Sequence, residues 1–336
     1  MRYGRPTHAR FLMKGCPMDL TSRTCFSRRR LLTSGALVGA GLALPGWAAW
    51  AAETATLPLI TKKIPSSGEL LPVIGTGTNA YGVTDPAQRA QIKEVLKNLP
   101  QLGGKVVDTA RAYGTSELVI GELVQELGNR DQLFIATKTP MSSDLSAGSG
   151  VLVETFNRLR MERLDLVEIH NFHGIDELMP VLLEFRQAKK IRYIGCTTSS
   201  RNQHAQMLEA MKKHKLDFIQ TNYSIADRSS NAEILPLALE RGIAVLNNVP
   251  FGGVRGNFLP KLMGKPLPPF AAAEFDVTSW PQLCLKYNIS HPAITAAIPG
   301  TTTLEYLRDN QRAGRGRLPD AAARRKLEVY WETLGV

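Results

Sequence analysis

Apolar runs of strand length alternate with amphipathic stretches of helix length along this sequence. In the amphipathic stretches apolar residues recur three and four positions apart, as between Ile120 and Leu127, which predicts helices with one buried face. The predicted strands are 73–79, 106–108, 133–137, 164–169, 191–196, 218–223, 243–246 and 293–298. The predicted helices lie between them, at 86–99, 120–127, 177–188, 202–213, 232–241 and 280–286.

Eight strands in alternation with helices predict an α/β fold, a closed (β/α)8 or TIM barrel. We expect one domain over residues 52–336, with a helical extension at its carboxyl end. A doubly wound open sheet is the alternative, but no G-x-G-x-x-G motif follows a predicted strand. The segment 250–278 is rich in Gly and Pro and too long for a simple loop, so it predicts a mobile flap over the carboxyl-terminal end of the barrel.

Residues 1–51 differ from the rest of the chain in charge. They hold eight Lys and Arg residues against Asp19 alone, and so account for most of the formal net charge of +11. The remainder of the chain is only weakly basic and carries no nucleic-acid-reading motif. We therefore expect no nucleic-acid partner.

Within this leader, Arg28-Arg29-Arg30 and two leucines precede an uncharged stretch, rich in Ala and Gly, that ends at Ala49-Trp50-Ala51. The order resembles a twin-arginine (Tat) signal peptide, which implies cleavage after Ala51, contact with the Tat export machinery, and a periplasmic protein without stable membrane association. An uncleaved membrane anchor is the alternative, although its glycines disfavour a helix. Because the basic lead is long, Met13 and Met18 are alternative start positions.

The positions of the four cysteines predict no disulfide framework. Cys16 and Cys25 fall in the leader, while Cys196 lies on a predicted strand and Cys284 on a predicted helix. Without a CxxC pair, the spacing indicates neither a disulfide scaffold nor a zinc site. We expect Cys196 and Cys284 to be buried and free.

Three successive predicted strands deliver polar side chains where they end. Asp108 ends one strand, Lys138 follows the next, His170 follows the third, and Tyr113 stands in the loop after Asp108. Ligands of parallel α/β folds bind at the carboxyl ends of strands, so we expect the four groups to meet. Taken singly, each has a structural explanation, such as an ion pair, a packed loop aromatic or an interior histidine.

Together the four groups suit the polarisation of a carbonyl oxygen and the delivery of a proton to it. A free phenol has a pKa of about 10, and we expect the ammonium of Lys138 to lower the pKa of Tyr113. Asp108 would keep that ammonium charged, and His170 would add a second hydrogen bond to the oxygen. Because no residue supplies a nucleophile for carbon, the site needs a hydride donor such as a nicotinamide cofactor.

Two other functions stay open at this point. His170 and His173 with Asp108 are candidate ligands of a metal-dependent barrel hydrolase, although Lys138 would repel a cation. A nucleotide-binding sensor or docking module on the same barrel is the second alternative.

Ordered motifs from residue 71 to residue 310 resemble the aldo-keto reductase superfamily. They are Asp108-Thr109-Ala110, Tyr113-Gly114, Ser116-Glu117, Thr137-Lys138, Ile169-His170-Asn171, Ile194-Gly195, Gln220, Asn222-Tyr223-Ser224, Ile298-Pro299-Gly300-Thr301 and Asp309-Asn310. The resemblance implies NADP(H)-dependent reduction of aldehydes or ketones without a metal. It makes Tyr113 the general acid, Lys138 and Asp108 its tuning pair, and His170 the residue that orients the carbonyl.

The resemblance also assigns residues to the cofactor. Thr78 and Asp108 would lie near the nicotinamide ribose, Gly300 and Thr301 at the 2′-phosphate, and Asp309 and Asn310 at the adenine. The carboxamide of the nicotinamide would be held by Gln220, Thr197 and Thr198. In the family an aromatic residue commonly stacks on the nicotinamide after the seventh predicted strand, and here Asn248 and Phe251 follow that strand. Gly300 and Tyr306 stand where a Lys and an Arg often bind the 2′-phosphate, so NAD(H) is possible. We expect a monomer and a small-molecule carbonyl or alcohol substrate.

Overall fold

The computed structural model describes residues 57–141, 150–253 and 256–336. Eight parallel strands stand side by side in chain order, from β3 to β10, and a separate antiparallel hairpin, β1 and β2, precedes them. Strands β1 to β10 are Thr61–Lys63, Leu70–Pro72, Thr76–Gly77, Val106–Asp108, Phe134–Lys138, Leu164–His170, Ile191–Thr197, Phe218–Asn222, Ala244–Asn248 and Ile294–Ala297.

The sheet closes on itself between its first and last strands. Parallel bridges join Ile74 to Ala297 and Gly77 to Gly300, and the amide of Gly75 donates to the carbonyl of Ala297 at 2.9 Å. The (β/α)8 barrel predicted from the sequence is confirmed, and the predicted strands coincide with β3 to β10.

Helices cover the outside of the barrel. Helices α1 to α11 of the described residues are Pro86–Gln101, Ser116–Leu127, Gly150–Leu159, Ile175–Gln187, His204–Lys213, Ile234–Arg241, Leu259–Leu262, Ala271–Phe275, Trp280–Ile289, Leu304–Ala313 and Ala321–Thr333. Local signals set their ends: the carboxylate of Asp85 accepts the amide of Ala87 before α1, and Gly128 ends α2 in the left-handed region at φ 62°.

Alternation along the strands divides the core into two layers. Leu166, Phe218 and Leu246 belong to a cluster inside the barrel, whereas Val167 and Ile219, each one residue further along its strand, pack under the helices. Side chains alternate in direction along a strand, so the next interior position lies two residues beyond Leu166, Phe218 and Leu246, nearer the carboxyl-terminal end of the barrel. The interior residues at those positions are polar.

The antiparallel hairpin of β1 and β2 has no counterpart in the sequence prediction. It is tied to the barrel by Lys62, whose Nζ donates to the backbone oxygens of Ile289, His291 and Ile294 at 2.7, 2.8 and 2.6 Å. These contacts fix the hairpin against the start of β10, at the amino-terminal end of the barrel.

The predicted flap has Gly252, Gly253 and Asn257 in the lining of the carboxyl-terminal cavity, while its part from residue 256 to residue 278 is packed; its mobility stays a prediction. Phe258 and Phe275 are buried, and the ring of Phe258 lies 4.8 Å from that of Trp331 in α11. The indole of Trp280 donates to the backbone oxygen of Lys265 at 2.9 Å. Apolar side chains between the prolines thus anchor this segment to the C-terminal helix.

The predicted signal peptide, cleavage site and alternative membrane anchor lie outside the described residues. Within the described residues, no helix is both long enough and apolar enough to cross a bilayer. Cys196 and Cys284 are buried free thiols, as predicted.

Candidate active site at the carboxyl-terminal end of the barrel

Asp108, Lys138, His170 and Tyr113 line one cavity of about 640 Å³ at the carboxyl-terminal end of the barrel. The first three end β4, β5 and β6, two residues beyond the interior positions 106, 136 and 168 of the same strands. Tyr113 reaches the cavity from the loop after β4, and its ring meets that of His170 edge-on with centroids 6.4 Å apart. The convergence expected from the sequence is therefore present in the fold.

Three hydrogen bonds hold Lys138 beneath Tyr113. Its Nζ lies 2.8 Å from each carboxylate oxygen of Asp108 and 2.8 Å from the backbone oxygen of Thr109. The same nitrogen lies 5.3 Å from the centroid of the Tyr113 ring. Because Asp108 and Lys138 are both buried, their charges interact with little screening by solvent.

A second ion pair fixes the loop that carries Tyr113. Glu117, fully buried in the first turn of α2, accepts a hydrogen bond from Thr137 at 2.8 Å and one from Nε of Arg158 at 3.0 Å. Arg158 also donates to the backbone oxygen of Gly114, the residue after the tyrosine. The sequence motif contained Glu117, but its partner Arg158, which lies 41 residues away, could not be assigned from spacing.

The electrostatic setting keeps the phenol protonated. Lys138 lowers the pKa of Tyr113, but burial of the phenol and the carboxyl groups of Asp108 and Glu168 outweigh that effect and leave the pKa above its ordinary value. The prediction of a lowered phenol pKa was therefore wrong, because it counted only the ammonium. Burial alone would lower the pKa of Lys138, yet Asp108, Tyr113 and Glu168 raise it.

His170 is a neutral imidazole at physiological pH. Burial, with the positive charge of Lys138, lowers its pKa to about 4. Its Nδ1 is buried without a hydrogen-bond partner among the described residues. A neutral ring carries one N–H donor and one acceptor nitrogen, so His170 can donate to a ligand oxygen in the cavity.

Gln220 lies at the centre of a buried hydrogen-bond network. Its Nε2 donates to Asp108 at 2.8 Å and to Glu168 at 3.0 Å, and its Oε1 accepts from Thr197 at 3.0 Å and from Asn248 at 3.3 Å. All the hydrogen-bonding positions of this amide are thus used by protein groups. Gln220 lines the cavity as predicted, but a ligand carboxamide would have to displace one of these partners.

Asn248 presents a polar atom that the protein leaves unsatisfied. Its Nδ2 donates to the backbone oxygen of Thr198 at 2.9 Å, while its Oδ1 is buried without a partner among the described residues. Asn248 lines the cavity beside Thr197 and Phe251. A buried acceptor of this kind costs free energy until a donor reaches it, so it marks a place for a ligand N–H or O–H group.

Of the remaining predicted cofactor residues, Thr78 and Gly300 line the cavity, whereas Thr198, Thr301, Asp309 and Asn310 do not. The hydroxyl of Thr198 donates to Gln203 at 2.6 Å, and that of Thr301 donates to the backbone of Thr303 at 3.2 Å. The carboxylate of Asp309 accepts hydrogen bonds from Ser279 at 2.8 and 2.9 Å. The cofactor contacts of these four residues stay predictions.

A second recess, of about 750 Å³, lies on the amino-terminal side of the barrel. Its charged residues largely satisfy one another: Asp165 pairs with Arg130 and with Arg192, each at 2.8 Å. Folds of this kind bind ligands at the carboxyl-terminal end of the barrel, where the cavity around Tyr113 lies. The second recess lies away from that end, and its described residues form no catalytic group like the one around Tyr113.

The metal alternative finds little support in the geometry. The described residues contain no group of three or more His, Cys, Asp or Glu side chains placed to hold one ion. Asp108, a candidate ligand, is already bound through both oxygens to Lys138, and a cation would have to displace that ammonium.

Comparison with known proteins agrees with the fold and the site. The model of the aldo/keto reductase family matches residues 73–328. Aldo-keto reductase YhdN of Bacillus subtilis is 30% identical over 190 residues, which cover 52% of this chain and 56% of that protein. The NADH-specific methylglyoxal reductase of Escherichia coli is 26% identical over 322 residues, which cover 78% of this chain and 96% of that protein.

A solved aldo-keto reductase from Klebsiella pneumoniae, in complex with NADPH, shares the fold with a TM-score of 0.64 at 22% identity, over 82% of this chain and 96% of that chain. The family match spans most of the sequence, and it includes every strand that delivers Asp108, Lys138 and His170. The chain therefore belongs to the aldo/keto reductase family, whose members are NAD(P)-dependent oxidoreductases that act on carbonyl groups.

Proposed function

We propose that this protein reduces the carbonyl group of a small aldehyde or ketone with NADP(H), and that NAD(H) can replace it. The observation that carries the proposal is the buried Lys138–Asp108 pair directly beneath Tyr113, with the neutral His170 across the same cavity. This arrangement matches the charge changes of carbonyl reduction, in which negative charge develops on one oxygen and a proton must follow it.

In the proposed reaction, the nicotinamide supplies a hydride to the carbonyl carbon when it is bound. Tyr113 donates a hydrogen bond to the carbonyl oxygen and transfers its phenolic proton as the alkoxide forms. Lys138 stabilises the phenolate that remains, and Asp108 keeps Lys138 in place. His170 orients the same oxygen through an N–H donor.

The cavity residues fit a nicotinamide. The unpaired Oδ1 of Asn248 suits the N–H of a carboxamide, and the neighbouring Thr197 adds a hydroxyl to the cavity lining. The NADPH complex of the Klebsiella pneumoniae relative and the NADH-specific name of the Escherichia coli relative support either cofactor. Among the described residues that line the cavity, Lys138 is the only Lys or Arg.

We also propose that residues 1–51 direct Tat export, that the mature barrel begins at Ala52, and that it works in the periplasm as a monomer. The leader pattern of arginines, apolar run and Ala49-Trp50-Ala51 supports this proposal. Export would then follow folding around the bound nucleotide. Cell fractionation with intact-mass analysis tests it, and cytoplasmic protein that retains the leader would overturn it.

Steady-state turnover of 4-nitrobenzaldehyde with NADPH and with NADH tests the enzymatic proposal. We expect consumption of the reduced nucleotide that depends on the aldehyde. Nucleotide binding without turnover of any carbonyl would favour the sensor alternative, and stoichiometric zinc or manganese in the purified protein would favour the hydrolase.

A further inference from the structure

Glu168 lies in the floor of the cavity and has no part in the proposed reaction so far. It precedes His170 by two residues on β6, so its side chain faces the barrel interior, and it pairs in register with Lys138 of β5. The residue is fully buried. Glutamate is seldom buried to this degree without a partner, so its presence beside the site requires a physical account.

The contacts of Glu168 join it to the site through one amide. Its Oε2 accepts from Nε2 of Gln220 at 3.0 Å, and the same nitrogen donates to Asp108 at 2.8 Å. Its Oε1 is buried and has no hydrogen-bond partner among the described residues. One amide therefore holds two carboxyl groups, and only one of these carboxyl groups is bound by the ammonium of Lys138.

Charge balance assigns different protonation states to the two carboxyl groups. The titratable groups that act on Glu168 from the interior are Asp108 on β4, Lys138 on β5 and Tyr113 in the loop after β4. Cys196 on β7 also feels its charge, although its side chain belongs to the outer layer. Burial raises the pKa of Glu168 well above its ordinary value, Lys138 lowers it, and Asp108 raises it further. Both oxygens of Asp108 are bound to the ammonium of Lys138, whereas Oε1 of Glu168 has no partner among the described residues, so this geometry favours the protonated form of Glu168.

We propose that Glu168 is a positioning residue of carbonyl reduction: a neutral carboxylic acid that holds Gln220 against Asp108, and whose ionisation weakens the site. When Glu168 releases its proton to solvent, two carboxylates share the single positive charge of Lys138. The developing alkoxide then loses part of its electrostatic stabilisation, and reduction slows. This inference rests on the proposed function.

The variant Glu168→Gln tests the proposal because it keeps an acceptor for Gln220 but cannot ionise. We expect kcat/KM for reduction to persist to higher pH than in the wild type, with the alkaline limb moved upward by about one pH unit, the scale of a neighbouring charge. Glu162→Gln, which removes an exposed carboxyl from the loop before β6, is the matched control and should leave the profile unchanged. Superimposable profiles of Glu168→Gln and the wild type would overturn the proposal.

Infrared spectroscopy of the wild type examines the same proton without an activity assay. We expect the carbonyl stretch of a protonated carboxylic acid at neutral pH, lost at the pH at which reduction declines. The band should persist in Glu162→Gln and be missing from Glu168→Gln. A wild type that reduces carbonyls but shows no such band would contradict this inference and leave the proposed function standing. A wild type with the band but without reduction would overturn the proposed function and, with it, the catalytic role of Glu168.

Discussion

Both carboxylate oxygens of Asp108 lie 2.8 Å from Nζ of Lys138, and the two side chains are almost completely buried. The pair therefore has two consequences that can be separated. The ammonium of Lys138 lies beside the ring of Tyr113, and the same ammonium neutralises the carboxylate of Asp108, which the barrel interior could not otherwise accommodate.

Lys138→Met should remove both consequences at once. Asp108 would stay buried without its counter-ion, so we expect the free energy of unfolding to fall by about 3 to 5 kcal/mol. We also expect kcat to fall at least about 100-fold, because the phenolate that forms in the reaction loses its stabilising charge. Urea unfolding and steady-state turnover measure the two effects.

The double variant Asp108→Asn/Lys138→Met separates stability from catalysis. It leaves no uncompensated charge, so most of the lost stability should return while turnover stays low. Recovery of turnover in the double variant would show that the charge of Lys138 is not needed for reduction.

His170 should make the protein acid-sensitive. Its pKa is about 4 in the fold and about 6.5 in an unfolded chain. The folded state thus binds fewer protons between these values, and the stability from the neutral imidazole is complete above pH 6.5 and declines as the pH falls through 4. We expect a loss of about 3 kcal/mol by pH 4 from this residue.

Denaturant unfolding between pH 7 and pH 4, compared between the wild type and His170→Gln, checks the sign and the size of this effect. His291, whose pKa is also lowered to about 4, stays in both proteins and contributes equally. Equal pH dependence of the two proteins would mean that His170 titrates normally.

Lys62→Met should loosen the hairpin at the amino-terminal end of the barrel. The ammonium of Lys62 satisfies three backbone oxygens around the start of β10, and methionine keeps the stem but donates nothing. We expect a loss of about 2 to 5 kcal/mol in unfolding free energy. Lys63→Met, on the exposed side of the same strand, should change little, and a similar loss there would point to a general effect of charge.

The strands, and the polar residues at the ends of three of them, could be predicted from the sequence because a buried strand is recognised directly as an apolar run. Asp108, Lys138 and His170 each follow such a run, and parallel strands bring their ends together. The helix caps at Asp85 and Gly128 are equally local signals.

Other parts of the site depend on contacts between distant segments. Glu168 stands in an apolar strand pattern, and only the register with Lys138 shows that it faces the site. The full set of partners around Gln220 and the pairing of Glu117 with Arg158 arise in the same way. The net shift in the pKa of the Tyr113 phenol also depends on groups from several segments. Lys138 lowers this pKa, whereas all the effects together raise it.

The most direct test of the central claim is the turnover of Tyr113→Phe with NADPH and 4-nitrobenzaldehyde, measured together with the Kd for the nucleotide. Phenylalanine keeps the ring that packs edge-on with His170 but has no proton to give. We predict that kcat falls by roughly two to four orders of magnitude while the Kd stays within a factor of about three. Turnover close to that of the wild type would contradict the assignment of Tyr113 as the proton donor.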